Sequence, residues 1–303
     1  MGAHTFIVTE AGERIGLGHL ARCISLYDAL ESRGITCELI VNGDEKSRPF
    51  IGAKHHRIFN WLEKGHELLN LLHNADVVIV DSYLAEYQFY KNISEIAKLA
   101  VYLDDDRRID YPKGIVLNGA ISAETINYPY RDGVRYLLGI RYLPMRSDFS
   151  PGPLKKIKEE ITDVMIIFGG DDRKKMIPRV LRTMSVNLPG VRKHVVVGWT
   201  LGHWREISGL KDHNTSITVS PEPKALKSIM AECDIAISAG GQTLYELAGS
   251  GVSTIAVAVA ANQLYNIKGM VESGSLLYAG SCEDPALMLT IGECLEKLKE
   301  RGL

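Results

Sequence analysis

The sequence predicts an α/β protein made of two doubly wound parallel sheets, on three observations. Strand-like apolar runs alternate with segments of helical periodicity along the 303 residues. The runs are continuous and rich in β-branched residues, which is typical of parallel strands buried on both faces. The order strand, glycine turn, helix opens the chain and restarts near its middle. A chain of this length is comfortable for two domains of ordinary size.

The first half begins with the strand "TFIVTE" and a helix from about Gly18 to Arg33, which Gly34 ends. Four apolar residues fall at helical spacing in that helix: Leu20, Ile24, Tyr27 and Leu30. Four further strands follow, with the sequences "CELIVN", "ADVVIVD", "LAVYLD" and "GIVLN". This alternation predicts an open, doubly wound sheet.

A linker candidate separates the halves. In "MRSDFSPGPLKKIKEEITD" the apolar rhythm stops at Pro151, Gly152 and Pro153, which divides the chain into domains 1–148 and 149–303. The second half predicts strands at "VMIIFGGDD", "KHVVVGW", "SITVS", "DIAISAGG" and "STIAVAV". Open α/β sheets bind ligands beyond the carboxyl ends of their strands, so two such domains predict a small-molecule site in a cleft between them.

The composition excludes several classes of protein. Hydrophobic residues make up 46%, charged residues 24%, and the formal net charge is -2, so no overall field favours nucleic acid or an anionic membrane. No apolar window approaches 18 residues, and the start "MGAHTFIVTE" lacks the features of a signal peptide. The five scattered cysteines form no CxxC pair and indicate reduced thiols in a cytoplasmic protein. The oligomeric state stays open.

The first motif is "IGLGHLARC". Gly16 and Gly18 allow a sharp turn and close approach to a ligand, and His19 follows in the first turn of the predicted helix. The positive helix end predicts a lowered pKa for the imidazole, and a neutral histidine is suited to act as a general base. The alternative is an ordinary polar first-turn residue. A complete GxGxxG is missing, which argues against dinucleotide binding.

The second motif is "SAGGQTLYELAGSGVSTIAVAVAANQ". Small residues at the start of a predicted helix form a candidate phosphate cradle, namely Ser238, Gly240, Gly241 and Thr243. Glu246 lies about one turn further, where a carboxylate can accept both hydroxyls of a ribose; the alternative is a solvated helix residue. The next strand is predicted to end at Asn262 and Gln263, whose amides can bind phosphate or sugar oxygens.

The third motif is "FGGDD", the corresponding turn after the first strand of the second half. Gly169 and Gly170 are candidates to close on a pyrophosphate from the other side. A plain tight turn explains them equally well.

Acids and a phenol follow two strands of the first half. Asp81 and Tyr83 follow "VVIV", and Asp104, Asp105 and Asp106 follow "AVYL". Three adjacent aspartates can bind a divalent cation, but such a site usually needs further ligands. Solvated turn acids, or one aspartate that orients a catalytic group, are the favoured interpretations.

Taken in order, "IGLGHLARC", "DSY", "YLDDD", "FGGDD" and "SAGGQTLYE…ANQ" resemble the UDP-sugar hydrolases of the pseudaminic acid pathway and their spore-coat polysaccharide relatives. These proteins are similar to the glycosyltransferase that adds N-acetylglucosamine in peptidoglycan assembly. The glycine-rich second-half motif is shared by many GT-B transferases, whereas GxGH…RC with DxY is more specific to the hydrolases.

The resemblance implies a GT-B-like fold, with two Rossmann-like domains facing a central cleft and UDP on the C-terminal domain. It implies cleavage of UDP-2,4-diacetamido-2,4,6-trideoxy-β-L-altropyranose at the anomeric carbon with inversion, without metal or cofactor. His19 matches the catalytic histidine, and Tyr83 and Asn262 match residues near the sugar. Glu246 matches the ribose ligand.

One stretch departs from the family pattern. Members often carry Arg-x-Asp in the first strand and turn, whereas this chain has "VTEAGERIG". Because the first domain chooses the sugar, the resemblance implies the reaction and leaves the sugar open. A glycosyltransferase that activates an acceptor hydroxyl through the same histidine is the second hypothesis, and a non-catalytic nucleotide-sugar-binding protein is the third.

Overall fold

The structure is a computed structural model that describes residues 4–12, 15–150, 155, 160–170, 172, 174–198 and 204–301. The chain divides into two compact units, Met1–Met145 and Arg146–Leu303. The predicted linker at Pro151, Gly152 and Pro153 lies outside the described residues.

The described part of the first unit contains a seven-stranded parallel sheet in the order β3-β2-β1-β4-β5-β6-β7. The strands are β1 Thr5–Glu10, β2 Cys37–Asn42, β3 His56–Ile58, β4 Val77–Asp81, β5 Leu99–Leu103, β6 Gly114–Asn118 and β7 Val134–Leu138. The helices are α1 Gly18–Glu31, α2 Arg48–Ile51, α3 Gly65–Leu72 and α4 Tyr87–Ile96.

Burial on both sheet faces explains why the strands of this unit are continuously apolar. Successive residues of one strand enter different clusters: Val8 packs with Trp61 and Tyr90, whereas Ile7 packs with Leu20. This is the alternation that a strand imposes on its side chains, and helices cover both faces.

The described part of the second unit contains a six-stranded parallel sheet in the order β10-β9-β8-β11-β12-β13. The strands are β8 Asp163–Ile167, β9 Arg192–Val197, β10 Thr215–Val219, β11 Ile235–Ala239, β12 Ser253–Ala258 and β13 Leu276–Ser281. The helices are α5 Met176–Asn187, α6 Trp204–Gly209, α7 Pro223–Glu232, α8 Thr243–Gly249, α9 Leu264–Glu272 and α10 Leu287–Arg301. Two doubly wound units confirm the predicted fold class.

Three strands of the described part of the chain were not predicted from the sequence, and all three lie at sheet edges. They are β3, β7 and β13. An edge strand has one neighbour and is partly exposed, so its sequence lacks a continuous apolar run. A second correction concerns Asn262 and Gln263, which lie in a single 3₁₀ turn three residues beyond the end of β12.

The strand order reverses once in each sheet, between β1 and β4 and between β8 and β11. Loops leave such a switch point in opposite directions, which opens a crevice at the carboxyl ends of the strands. The predicted motifs follow these four strands: "IGLGH" follows β1, "DSY" ends β4, "FGGDD" follows β8 and "SAGG" ends β11. Within the described residues, no helix is both long and apolar enough to cross a membrane.

Candidate active site

The centre of the first-unit site is the buried carboxylate of Asp81, the last residue of β4 and 1% exposed. His19 Nδ1 lies 2.7 Å from Asp81 Oδ1. The guanidinium of Arg22 lowers the pKa of Asp81, against the opposing effect of burial, so this carboxylate is ionised and accepts the hydrogen bond. Nδ1 therefore carries the proton, and the lone pair of the neutral ring is on Nε2.

One face of α1 supplies the other donors to Asp81. Arg22 Nε donates to Oδ2 at 2.9 Å and Nη2 donates to Oδ1 at 2.7 Å. The buried thiol of Cys23 lies 3.7 Å from Oδ2. Because His19, Arg22 and Cys23 are spaced i, i+3 and i+4, a single helix face presents all three to one carboxylate. The "GHLARC" motif thus supplies all three side chains of α1 that contact Asp81.

The prediction of a lowered pKa for His19 is wrong. Burial does lower the pKa, but the charge of Asp81 and its hydrogen bond raise it by more, and the net direction is upward. A fixed carboxylate at 2.7 Å outweighs the diffuse charge of a helix terminus. His19 is therefore a stronger base than a free imidazole.

Tyr83 packs against His19, with the two ring centroids 4.7 Å apart and an interplanar angle of 89°. Its hydroxyl donates to Asp105 Oδ2 at 2.8 Å. The loop that carries Tyr83 is held by Glu10, which is fully buried at the end of β1. Glu10 accepts hydrogen bonds from the Ser82 hydroxyl and, at 2.7 Å, from the Tyr83 amide. Glu10 lies in the stretch "VTEAGERIG", which departs from the expected Arg-x-Asp pattern, and it is part of the scaffold of the "DSY" loop.

The three consecutive aspartates have three different environments. Asp104 is buried and accepts hydrogen bonds from the hydroxyls of Tyr111 and Tyr128. Asp105 accepts from Arg22 Nη1 at 2.5 Å and from Tyr83. Asp106 has a buried Oδ1 without a hydrogen-bond partner among the described residues, and burial raises its pKa. Among the described residues, no group of three His, Cys, Asp or Glu side chains is arranged to hold a metal ion.

The glycines of the first motif shape the turn before His19. Gly16 has a φ of 79° and pairs with Gly12 through two backbone hydrogen bonds of 2.7 and 3.2 Å. The turn is therefore closed on itself, and the Gly16 amide is occupied by that pairing. Gly18 is the first residue of α1 and places His19 in the first helical turn.

The glycine turn of the second unit is braced by amide side chains. Gln263 Oε1 accepts from the amides of Gly240 at 3.1 Å and Val259 at 3.0 Å. Asn266 Nδ2 donates to the carbonyl of Gly240 at 2.9 Å. Gly240 has no room for a side chain, because a Cβ there would lie 2.5 Å from Ile267 Cδ1. The Gln263 amide was predicted to bind phosphate or sugar oxygens, and its side-chain oxygen is used in this bracing.

Other predicted residues of this turn differ in exposure. Ser238 is 1% exposed within β11 and donates to the carbonyl of Ala239, so its hydroxyl is not presented to a ligand. Gly241 and Thr243, at the start of α8, are half-buried. Asn262 is exposed in the 3₁₀ turn 261–263.

Glu246 is 4% exposed, so the alternative of a solvated helix residue is wrong. Its Oε1 accepts two hydrogen bonds from Arg146, from Nε at 2.9 Å and from Nη2 at 2.7 Å. Arg146 in turn stacks over Phe149, with its guanidinium carbon 4.6 Å from the ring centroid. Burial raises the pKa of Glu246, and Arg146 opposes that rise.

The "FGGDD" turn differs from a free anion cradle. Asp172 caps α5 by accepting from the amides of Met176 at 2.7 Å and Ile177 at 2.8 Å. These two helix amides are thus occupied by the protein's own carboxylate. Gly169 has a φ of 78° and is exposed.

The sequence analysis gave no role to Arg22 or Arg146, and it did not single out Asp105 among the aspartates of which one was expected to orient a catalytic group. The spacing of Arg22 behind His19 was a usable signal, since i and i+3 share a helix face. Asp105 was one of three indistinguishable acids. Arg146 precedes the region of broken rhythm, and no local pattern marks it as the partner of Glu246.

Comparison with known proteins agrees with the motifs. No protein-family model matches the chain. The chain is 28% identical over 258 residues to the Helicobacter pylori protein named pseudaminic acid cytidylyltransferase and UDP-2,4-diacetamido-2,4,6-trideoxy-beta-L-altropyranose hydrolase, covering 84% of this chain and 44% of that protein. It is 22% identical to the spore coat polysaccharide biosynthesis protein SpsG of Bacillus subtilis, covering 91% of this chain and 84% of that protein. The resemblance inferred from the motifs is confirmed.

An uncharacterized protein of Methanocaldococcus jannaschii is 26% identical over 263 residues, covering 82% of this chain and 54% of that protein. The chain thus spans about half the length of the first two curated relatives, 44% and 54%.

Solved structures show that the fold is that of GT-B glycosyltransferases. MurG of Acinetobacter baumannii has a TM-score of 0.66 at 12% identity, covering 99% of this chain and 93% of that protein. Arabidopsis thaliana UGT89C1 complexed with UDP has a TM-score of 0.60 at 14% identity, covering 99% and 94%. At these identities the likeness concerns the fold.

Proposed function

We propose that this protein hydrolyses a UDP-linked deoxy amino sugar, releasing UDP and the free sugar with inversion at the anomeric carbon. The observation that carries the proposal is the His19–Asp81 pair: a buried carboxylate fixes Nδ1–H and leaves Nε2 as the base. The name of the Helicobacter pylori relative, which includes a UDP-sugar hydrolase, supports the class of substrate.

In the proposed reaction, His19 Nε2 removes a proton from a water molecule whose oxygen attacks the anomeric carbon. The carbon–oxygen bond to the β-phosphate breaks, and its electron pair leaves with UDP. Asp81 stabilises the imidazolium that forms, in the manner of the acidic member of a catalytic triad. We assign Tyr83 to the sugar side of the site, and the contact of its ring with His19 supports this assignment.

UDP is assigned to the second unit. The ribose hydroxyls bind Glu246, and the diphosphate binds the turns at Gly240–Gly241 and Gly169–Gly170. Thr243 and Asn262 are the remaining polar contacts we propose there. A buried glutamate held by an arginine is a preorganised acceptor, because its rotamer is fixed before the ligand arrives.

The test is incubation of the protein alone with a panel of UDP-sugars in H₂¹⁸O, followed by mass spectrometry of both products. We expect UDP release without an acceptor and the label in the hydroxyl of the free sugar, since water attacks carbon. Early NMR spectra should show the inverted anomer. Label in the phosphate of UDP, or no release from any donor, would contradict the proposal.

A glycosyltransferase is the second candidate, because the structural neighbours CalG4, the calicheamicin glycosyltransferase, and SpnG, the spinosyn rhamnosyltransferase, transfer sugars by name. In that reaction His19 activates an acceptor hydroxyl instead of water. UDP release that requires an added acceptor would favour this candidate over the hydrolase.

A further inference from the structure

The side chains around His19 form one connected chain of hydrogen bonds. His19 contacts Asp81, Asp81 contacts Arg22, Arg22 contacts Asp105, and Asp105 contacts the Tyr83 hydroxyl. Each heavy-atom separation lies between 2.5 and 2.9 Å. The two residues proposed to face the sugar, His19 and Tyr83, are the two ends of this chain.

Arg22 is the branch point. Its Nε and Nη2 form a fork on Asp81, and its Nη1 reaches Asp105. The guanidinium is planar, so fixing one side of the fork fixes the direction of the third donor. The side chain is 14% exposed, and Asp105 is 31% exposed. Movement of Arg22 would therefore displace the support of both His19 and Tyr83.

We propose that Arg22 and Asp105 are a positioning pair that sets the geometry of His19, through Asp81, and of Tyr83, through the second oxygen of Asp105. The inference rests on the proposed function in that it assigns His19 and Tyr83 to the reaction. Neither member of the pair needs to touch the substrate.

The charges of the pair make the proposal testable. The pKa of His19 is shifted by three charged groups: Asp81 on β4, Arg22 on α1 and Asp105 after β5. The ring of Tyr83 packs against the imidazole, and the thiol of Cys23 contacts Asp81. Loss of the positive charge of Arg22 favours the imidazolium and raises the pKa of His19. Loss of the negative charge of Asp105 disfavours the imidazolium and lowers that pKa.

The experiment is an NMR titration of histidine-labelled protein without substrate, with the His19 signal assigned from its absence in His19→Asn. We expect Arg22→Gln to raise the pKa of His19 and Asp105→Asn to lower it. Asp110→Asn is the matched control, because Asp110 is exposed and paired with Arg107; it should leave the titration unchanged. Folded variants that leave the pKa of His19 unmoved, or move it in the same direction, would overturn the pairing.

Measurement of kcat distinguishes a positioning role of Arg22 from a purely electrostatic one. Arg22→Lys keeps the charge but cannot form the fork, so the pKa of His19 should stay near that of the wild type while kcat falls about 10²-fold, the cost of a misplacement of about 1 Å. KM should change little. This variant also serves if Arg22→Gln does not fold. Wild-type kcat in Arg22→Lys would refute the positioning role.

The titration of the free protein and the assay of UDP-sugar hydrolysis test the positioning pair and the proposed function independently. If the titrations shift as expected and no UDP-sugar is hydrolysed, the pairing stands and the proposed function falls. If UDP is released but the titrations do not move, the proposed function stands and the pairing falls.

Discussion

Asp81 shows how much chemistry one buried carboxylate can organise. It is 1% exposed, and each of its oxygens accepts from Arg22 while Oδ1 also accepts from His19. A buried charge of this kind is tolerated only when it is paired and fully hydrogen-bonded. The hydrogen bonds that offset the cost of burying Asp81 include the one that fixes the tautomer of His19.

Replacement of His19 tests the base directly. We expect His19→Asn to lower turnover by about 10²–10⁴-fold, the usual contribution of a general base. UDP affinity should stay unchanged, because UDP is assigned to the second unit. Tyr83→Phe should cost less, since it removes one hydroxyl and no base. Steady-state kinetics and calorimetry with UDP measure both quantities.

His66→Asn is the control, because His66 is exposed on α3 and should leave turnover at the wild-type value. More than about a tenth of wild-type turnover in His19→Asn would move His19 to a structural role at the start of α1.

Glu246 carries the corresponding test for the second unit. Glu246→Ala should weaken UDP binding by about 1–3 kcal/mol, the typical loss for a charged hydrogen-bond partner. The matched control is Glu272→Ala, since Glu272 is an exposed glutamate of α9 paired with Lys268. Calorimetry that finds equal UDP affinity in both variants would refute the ribose assignment.

Among the elements, α1 and α8 both follow strands at a switch point, but they use different means to present a functional group. Helix α1 places three side chains at i, i+3 and i+4 on a carboxylate from another strand. The turn before α8 is shaped instead by the packing of α9, whose Ile267 leaves no space for a side chain at position 240.

The turn before α8 yields a prediction about stability. Gly240→Ala should lower the free energy of unfolding by about 1–3 kcal/mol, the usual cost of overpacking, because the new methyl group would contact Ile267 and Gln263 at less than 3.0 Å. Gly241→Ala is the matched control, since a Cβ there meets nothing within 4 Å. Urea unfolding measures both variants. Equal midpoints would show that α9 adjusts freely.

At the scale of the whole molecule, the protein must stabilise the negative charge of the UDP leaving group. The net charge of the chain is -2, so there is no overall positive field to hold a diphosphate. Local groups must serve instead, and since the Gly240 amide is engaged by Gln263, we assign this role to the amides of Gly241 and Gly169.

We expect turnover to be independent of divalent cations. Asp104 is engaged by two tyrosines and Asp105 by Arg22 and Tyr83, so the adjacent acids do not converge on one point. Turnover after exhaustive chelation should equal that of untreated protein. Loss of turnover that magnesium or manganese restores would require a metal site at Asp104–Asp106.

Much of the fold was predictable from local sequence. Central strands such as β4 are buried on both faces, so their apolar runs are visible in the sequence. The edge strands β3, β7 and β13 were missed because partial exposure removes that signal. The boundaries of the glycine turns, and the position of His19 at the start of α1, followed from the same local rules.

The sequence by itself determined two doubly wound halves, the turn that presents His19 and the glutamate in the first turn of α8, because spacing and turn chemistry are local. Only the tertiary structure decided the partners. Asp81 lies 62 residues from His19, and Arg146 lies 100 residues from Glu246. Such pairs are brought together by strand order and helix packing. The direction of the His19 pKa shift depended on one of them, since a carboxylate from β4 outweighs what the helix terminus alone predicts.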